Sequence, residues 1–563
     1  MADKPIHQLF TPVDWLVLLG YLVFCTWVGH RMRGQQASIR DFFLGGKSLP
    51  WPAVSGSIIA TELSGVTFIG VPAGLFAMHG NFTYLQWAVG SIIARVIVGV
   101  WFVKVYYERE IYSSYDYMGN RLGKGAKTLA TILFFVGSIL AQSVRVLVAA
   151  LPLKVVTGMP IEVCILIIGV FAIGWTLMGG MRTVIWTDVM QFFLFTIGGI
   201  IALFTVVNSL PGGFGELWGT ATDFGRTKAT SWEFDWFGAG RELEFTFWVA
   251  LIAVPFQNLT VFGVDQLCAQ RMFCCGTPQA ARKAIIFSSF GQLVTLLMLL
   301  VGAALFVHYE QHPFNAYEAE VAFPANAEMT SAERMEAAPF AADPVSGKVS
   351  NVRVPADGDA VFPMWIVSIL PMGLSGLLLA GVFAAAISSL DSILAALSQT
   401  TLSLIYHPER DDGISADDPS LVGKSRVLVV FWGIALTFFT YLLLFVKEDI
   451  PILPLAFGMT SYTVGPMLAI FLIAMLGKGS VRGLVVGTVI SFIIVLFVRT
   501  DVWVLVDKIA PSFVESLGDL PTYDYDVEEG KLSPVYSFVW AWPLTAILTF
   551  AFGLLVPGKN KSA

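Results

Sequence analysis

The sequence predicts an all-α integral membrane protein of about thirteen transmembrane helices, on three observations. Of its 563 residues 56% are hydrophobic and only 13% charged, and the mean hydropathy is +0.72, which leaves too little polar surface for a water-exposed globule. Apolar runs of about 20 residues recur from end to end, each long enough to cross ~30 Å of hydrocarbon as a helix. Apart from one long polar loop and short tails, no segment has the periodicity of a separate soluble domain.

In chain order the runs cover residues 12–31, 50–79, 82–104, 127–156, 161–179, 184–209, 244–265, 283–308, 362–406, 423–446, 450–476, 480–499 and 535–556. The first reads as a retained span, because Asp3 and Asp14 flank it and no A-x-A cleavage site follows. Lys and Arg favour cytoplasmic loops, and an outside N-terminus places 20 of the 34 basic residues inside, among them Arg31, Arg33, Arg40, Arg410, Lys559 and Lys561. An odd number of spans then puts the C-terminus in the cytoplasm.

The net charge of −7 arises mainly in outer loops at 210–243, 309–361 and 500–534, and it implies no nucleic-acid partner. The five cysteines lie in spans or in the inner segment of Cys268, Cys274 and Cys275, so no outer disulfide framework is expected, and their spacing matches no zinc pattern. No nucleophile, base and orienting group converge in a readable motif, which argues against an enzyme. The bilayer is the expected surrounding, and no obligatory protein partner is evident.

Two spans carry polar and helix-loosening residues at mid-depth: Ala60–Gly65 (ATELSG) and Pro255–Gly263. Unwound backbone inside a membrane is tolerated only where it lines a cavity, and its free carbonyls can then coordinate a cation. The most polar span is Gly376–Ser392 (GLLLAGVFAAAISSLDS), with Ser388, Ser389, Asp391 and Ser392 in a row. Small residues and hydroxyls serve close helix packing, but Asp391, roughly 22 Å along the helix from Tyr406, costs about 2.5–3.5 kcal/mol at the bilayer centre even on a lenient scale.

Ala385–Ser392 (AAISSLDS) resembles the signature helix of the sodium:solute symporter family. Gly179–Gln191 (GGMRTVIWTDVMQ), Asp41–Pro50 (DFFLGGKSLP) and Asn258–Gln266 (NLTVFGVDQ) with Gln270 and Arg271 resemble other motifs of that family, in the same order along the chain. The resemblance implies a LeuT-type fold: an N-terminal extra helix and loop (1–49), a first five-helix repeat (50–209), an outer loop (210–243), an inverted second repeat (244–476, with the outer loop 309–361), and two C-terminal helices (477–563). It implies sodium-coupled symport of a small organic solute in a cell membrane, the bacterial inner membrane above all. A neutral sugar or polyol is an alternative to a carboxylate-bearing cargo, and a membrane sensor that keeps the fold is a more distant one.

Carried over residue by residue, the main sodium site uses the carbonyls of Ala60, Leu63 and Ala385 and the hydroxyls of Ser388 and Ser389, hard oxygens of the kind such cations prefer. A second sodium site, present in sialic acid symporters, falls on Asp188, Ser388, Asp391 and Ser392; Asp188 alternatively caps or bridges helices. Glu62 admits three roles: support of the sodium site, as in proline symporters, a protonated hydrogen-bonding group, or a partner for a cationic solute.

Solute contacts implied by the resemblance are Ser64, Thr67, Gln86 and Asn258. The tyrosine that gates galactose symporters is Val261 here, which disfavours a sugar. Arg145, about 13 Å along its helix from Lys154, is a buried guanidinium that needs an anion. It suits a solute carboxylate through its bidentate fork, or else pairs permanently with Glu62 or Asp188, or snorkels outward. Arg95 reads as structural.

Overall fold

The computed structural model describes residues 5–32, 44–76, 80–108, 111, 113–178, 180–234, 241–325, 329–343, 347–405, 419–447, 450, 452–517, 523–526, 531–534 and 536–557. Arg33, Arg40, Arg410, Lys559 and Lys561 of the orientation count, and residues 41–43 and Gly179 of the motifs, lie outside the described residues.

The described chain is overwhelmingly helical. In order it forms α1 (Pro12–Met32), α2 (Trp51–Glu62), α3 (Val66–Phe76), α4 (Phe82–Tyr107), α5 (Lys124–Thr157), α6 (Ile161–Met178), α7 (Met181–Ser209), α8 (Val249–Val264) and α9 (Gln266–Phe273). There follow α10 (Pro278–Gln311), α11 (Leu374–Ile405), α12 (Leu421–Lys447), α13 (Ile452–Tyr462), α14 (Val464–Leu476), α15 (Val481–Val498) and α16 (Phe538–Leu555). Nine of these are long and apolar enough to cross a membrane alone, and twelve spans result if each bent pair counts as one.

Three pairs are bent: α2 with α3 by 55°, α8 with α9 by 49°, and α13 with α14 by 41°. The first bend falls where the sequence predicts it. The second lies at Asp265, beyond the expected Pro255–Gly263 stretch, because two π-helical turns, Val249–Ala253 and Thr260–Val264, absorb the irregularity around Pro255 and keep the helix running. Asp265 then adopts an extended conformation and caps α9, its carboxylate accepting the Leu267 N–H at 2.8 Å. The third bend, at Thr463, precedes Gly465-Pro466, a breaker signal that the sequence reading did not use.

The expected run at 362–406 is two helices. Pro371 biases Leu370 to an extended backbone (ψ 147°) and Gly373 takes φ +85°, so a short outer helix, Val361–Ile369, ends before α11 begins. Asp14 of α1 caps α11 from the side, accepting the N–H groups of Gly373 (2.7 Å) and Gly376 (3.1 Å). The outer loop expected to carry no chemistry holds two short helices, Ala316–Ala322 and Ser331–Ala337, and a hairpin of Phe340–Ala342 with Val349–Arg353.

Helices α2, α7 and α11 pack together, α5 lies against α11 and α12, and α14, α15 and α16 form a second cluster. Small residues permit these approaches, as membrane helices require. At Gly90 in α4 an added Cβ would lie 2.1 Å from the Ala250 carbonyl of α8. Gly90→Val is therefore expected to cost roughly 1–3 kcal/mol through overpacking, read as a lower midpoint of thermal unfolding in detergent; an unchanged midpoint contradicts this packing.

Candidate ion and solute site

Helix α2 ends at Leu63 (φ −78°, ψ 70°), and the Ser64 N–H, which would bond the Ala60 carbonyl in a continuous helix, turns to Glu62 at 2.9 Å. The Ala60 carbonyl is thus released from its usual ladder partner, and α11 faces it. Ser388 Oγ donates to the Ala60 carbonyl and Ser389 Oγ to that of Thr61, each at 3.4 Å, with both serines fully buried. Ala385 lies about one turn earlier in the same helix. Thr61, which the sequence reading passed over, contributes the carbonyl nearest Ser389. That same oxygen accepts Arg145 Nη1 at 3.2 Å.

The buried charges pair in a pattern no motif announced. Glu62 forms an ion pair with Arg95 of α4 and accepts Gln292 Nε2 of α10 at 2.9 Å. The Arg95 side chain is fully buried, with its guanidinium 4.2 Å from the Phe262 ring centre, so it ties the first break to the π-turn preceding the second. Asp188 pairs with Arg271 of α9 at 2.9 Å, and Arg271 also donates to Ser57 Oγ (2.8 Å), the Leu267 carbonyl (2.6 Å) and Ser392 Oγ. One guanidinium thereby joins α2, α7, α9 and α11. Asp188 Oδ1 and Asp391 Oδ2 are buried without a hydrogen-bond partner among the described residues. Glu62 and Asp188, the two acids expected for Arg145, are paired elsewhere, and among the described residues no carboxylate lies within ion-pairing distance of it. Asp265, which lines the same cavity, and Glu62 are the acids whose charge reaches it.

Beside the first break lies a cavity of about 170 Å³, bounded by both breaks, α4, α5, α10 and the third bend. It is lined by Glu62, Ser64, Thr67, Arg145 and Asn258. Gln86 is not among the lining residues: its Nε2 donates to the Phe245 carbonyl at 2.6 Å and its Oε1 accepts the Ser231 N–H at 3.3 Å, so backbone from the segment before α8 engages this amide. Asn258 lines the cavity but is also engaged, donating to Gln257 Oε1 (2.6 Å) and the Val254 carbonyl (3.2 Å) and accepting from Ser91 Oγ (3.0 Å). Sequence reasoning missed Ser138 and Gln142, which share the Arg145 stripe of α5; the i, i+4, i+7 spacing was the signal. It also missed Phe457 and Thr460, supplied by the unforeseen third bend.

The sodium:solute symporter family model matches residues 42–490, a span containing both breaks and α11. The chain belongs to the sodium:solute symporter family. The symporter is 25% identical over 492 residues to the sodium/sialic acid symporter SiaT of Proteus mirabilis (strain HI4320), covering 86% of this chain and 89% of that protein. It is 26% identical over 489 residues to the sodium/glucose cotransporter of Vibrio parahaemolyticus, covering 84% and 82%. A solved substrate-bound, outward-open structure of a Na+-coupled sialic acid symporter superposes with a TM-score of 0.74 at 22% identity, covering 97% of each chain, and shows the shared fold. The chain is thus a multi-pass membrane transporter that couples sodium to solute movement, not an enzyme.

Removing Arg95 leaves the part-buried Glu62 carboxyl, 19% exposed, without its cation. In the symporter Arg95→Leu is expected to cost about 3–5 kcal/mol, with at least half recovered in the Arg95→Leu/Glu62→Gln double variant; a single variant as stable as the parent contradicts the pairing.

Proposed function

We propose that this symporter uses inward sodium movement to accumulate a carboxylate-bearing solute, by alternating access around the cavity at the first break. The observation that carries the reading is the meeting, at adjacent carbonyls of one broken helix, of two buried serine hydroxyls and an arginine that has no close ion pair among the described residues. Oxygens sharing a calcium-sized cation at about 2.4 Å and at right angles lie about 3.4 Å apart, the separation found between the serines and the Ala60 and Thr61 carbonyls. The main sodium site is therefore assigned to Ala60, Leu63, Ala385, Ser388 and Ser389, with Thr61 beside them. Glu62 supports it indirectly, held in place by Arg95 and Gln292.

The Asp188 cluster is assigned a second sodium. Two carboxyl groups, Asp188 and Asp391, face one guanidinium, and each keeps one oxygen without a partner, so a further cation balances the cluster. Ser392 contributes less than the resemblance implies, because Arg271 already donates to its oxygen. The energetics favour two ions for an anionic cargo. One sodium carried with a monoanion moves no net charge and reaches only about tenfold accumulation on a tenfold gradient, whereas a second adds about 2.3 kcal/mol per 100 mV.

Halves of five helices each, 50–209 and 244–476, are each proposed to open with a bent pair, α2 with α3 and α8 with α9, as inverted repeats do. With one helix before them and two after, α6 completes thirteen spans, with the N-terminus outside and the bacterial inner membrane as location. Among relatives that carry sialic acid or glucose, Arg145 favours the acid.

In proteoliposomes, sodium-dependent uptake of an acid such as sialic acid is expected to rise with sodium with a Hill coefficient above 1.5, a steepness that requires more than one bound ion. Ser388→Ala should raise the half-maximal sodium concentration several-fold, and Arg145→Gln should abolish uptake of acids. Uptake indifferent to sodium, or an acid preference that survives Arg145→Gln, overturns the assignment.

A further inference from the structure

Ser138, Gln142 and Arg145 stand at i, i+4 and i+7 of α5, one stripe of the helix facing the cavity, with a rise of roughly 10 Å from end to end. Ser138 is 4% exposed and Gln142 7%, yet Ser138 Oγ and Gln142 Oε1 have no hydrogen-bond partner among the described residues. Inside a membrane protein a buried polar atom of this kind is costly unless something else meets it. The neighbouring amides, Gln86 and Asn258, are in contrast saturated by the protein itself.

Another wall of the cavity differs in character. Tyr84, Trp87 and Phe457 line it and pack on one another, with Trp87 edge-on to Phe457 at 4.9 Å between ring centres. A solute there meets flat apolar surface on one side and a polar row on the other.

We propose that Ser138 and Gln142 are specificity-determining residues that read hydrogen-bonding groups along one edge of the solute whose carboxylate sits on Arg145. The cargo is then an elongated acid with hydroxyl or N-acyl N–H groups roughly 5–10 Å from its carboxylate and a less polar face opposite. Gln142 Oε1 is an acceptor and demands a donor, while the Ser138 hydroxyl takes either partner. A bare alkanoate leaves both unmet, and a neutral polyol leaves Arg145 unanswered. This deepens, and rests on, the carboxylate reading of Arg145.

The test measures dissociation constants of the purified full-length symporter at saturating sodium for hexanoate, 6-hydroxyhexanoate, sialic acid and glucose. The hydroxylated acid is expected to bind at least about tenfold more tightly than hexanoate, and Gln142→Leu and Ser138→Ala are each expected to bring that ratio within about threefold of unity. Equal binding of the two six-carbon acids by the parent, or a ratio that survives both substitutions, overturns the polar row while leaving Arg145 as a carboxylate site. Binding of glucose with none of the acids, or of no probe at all, overturns the carboxylate reading itself. Should Gln142→Leu fail to give monodisperse protein, Ser138→Ala, which removes a single oxygen, reads the same ratio.

Discussion

The carbonyl oxygen of Thr61 accepts hydrogen bonds from Arg145, which lines the cavity, and from Ser389, which faces the proposed ion site. Such an oxygen is available only because α2 stops there. Hydrocarbon does not hydrate backbone, so a helix that unwinds at mid-membrane must hand its freed carbonyls to side chains, ions or a water-lined space. Here the side chains come from α5 and α11, and the freed backbone between them belongs to both proposed sites. On this account sodium drawing the Ser389 oxygen leaves Thr61 to Arg145 and steadies the guanidinium that meets the solute. Coupling then needs no long path, because the two ligands act on neighbouring atoms of one turn, and each relieves the other's side chain of a shared partner.

The charged residues around that turn follow the same constraint. Asp188 with Arg271 is a buried pair, and the part-buried Glu62 pairs with a fully buried Arg95; the desolvation of such pairs is costly and their net contribution to stability small, so their value lies in placement. Arg95 fixes the break of α2 against Phe262 of α8, and Arg271 fixes α9 against α2, α7 and α11. Each arginine bridges elements from both proposed halves of the chain. What they leave over, among the described residues, is Arg145 without a close ion pair and one oxygen on each of Asp188 and Asp391 without a hydrogen-bond partner.

Most of the fold is legible in the sequence, because a span needs about 20 apolar residues and little else. The first break is equally plain, since Glu62, Ser64 and Gly65 have no reason to sit together in a greasy helix. The second was placed too early, because Pro255 looks like a breaker in sequence but is absorbed by π-turns, while Asp265 acts as a cap. The bend at Thr463 did leave a signal, Gly465-Pro466, but inside an apolar run of ordinary span length it was passed over. Site residues divide in the same way. Ser388 and Ser389 are readable as hydroxyls where hydrophobes belong, but whether an amide such as Gln86 meets a solute depends on backbone from 145 residues or more away in sequence, which no local pattern contains. The partner of Glu62 was likewise open among several until the packing of α4 fixed it as Arg95.

An ion and a solute that act on one turn of α2 bind cooperatively. The most direct test of that cooperativity is the affinity of the detergent-purified symporter for sialic acid or 6-hydroxyhexanoate, measured without sodium and at saturating sodium, together with the sodium affinity measured with and without the acid. Sodium is expected to tighten acid binding by about tenfold or more, and the acid to tighten sodium binding by the same factor, as linkage demands. Acid affinity independent of sodium would contradict the shared turn.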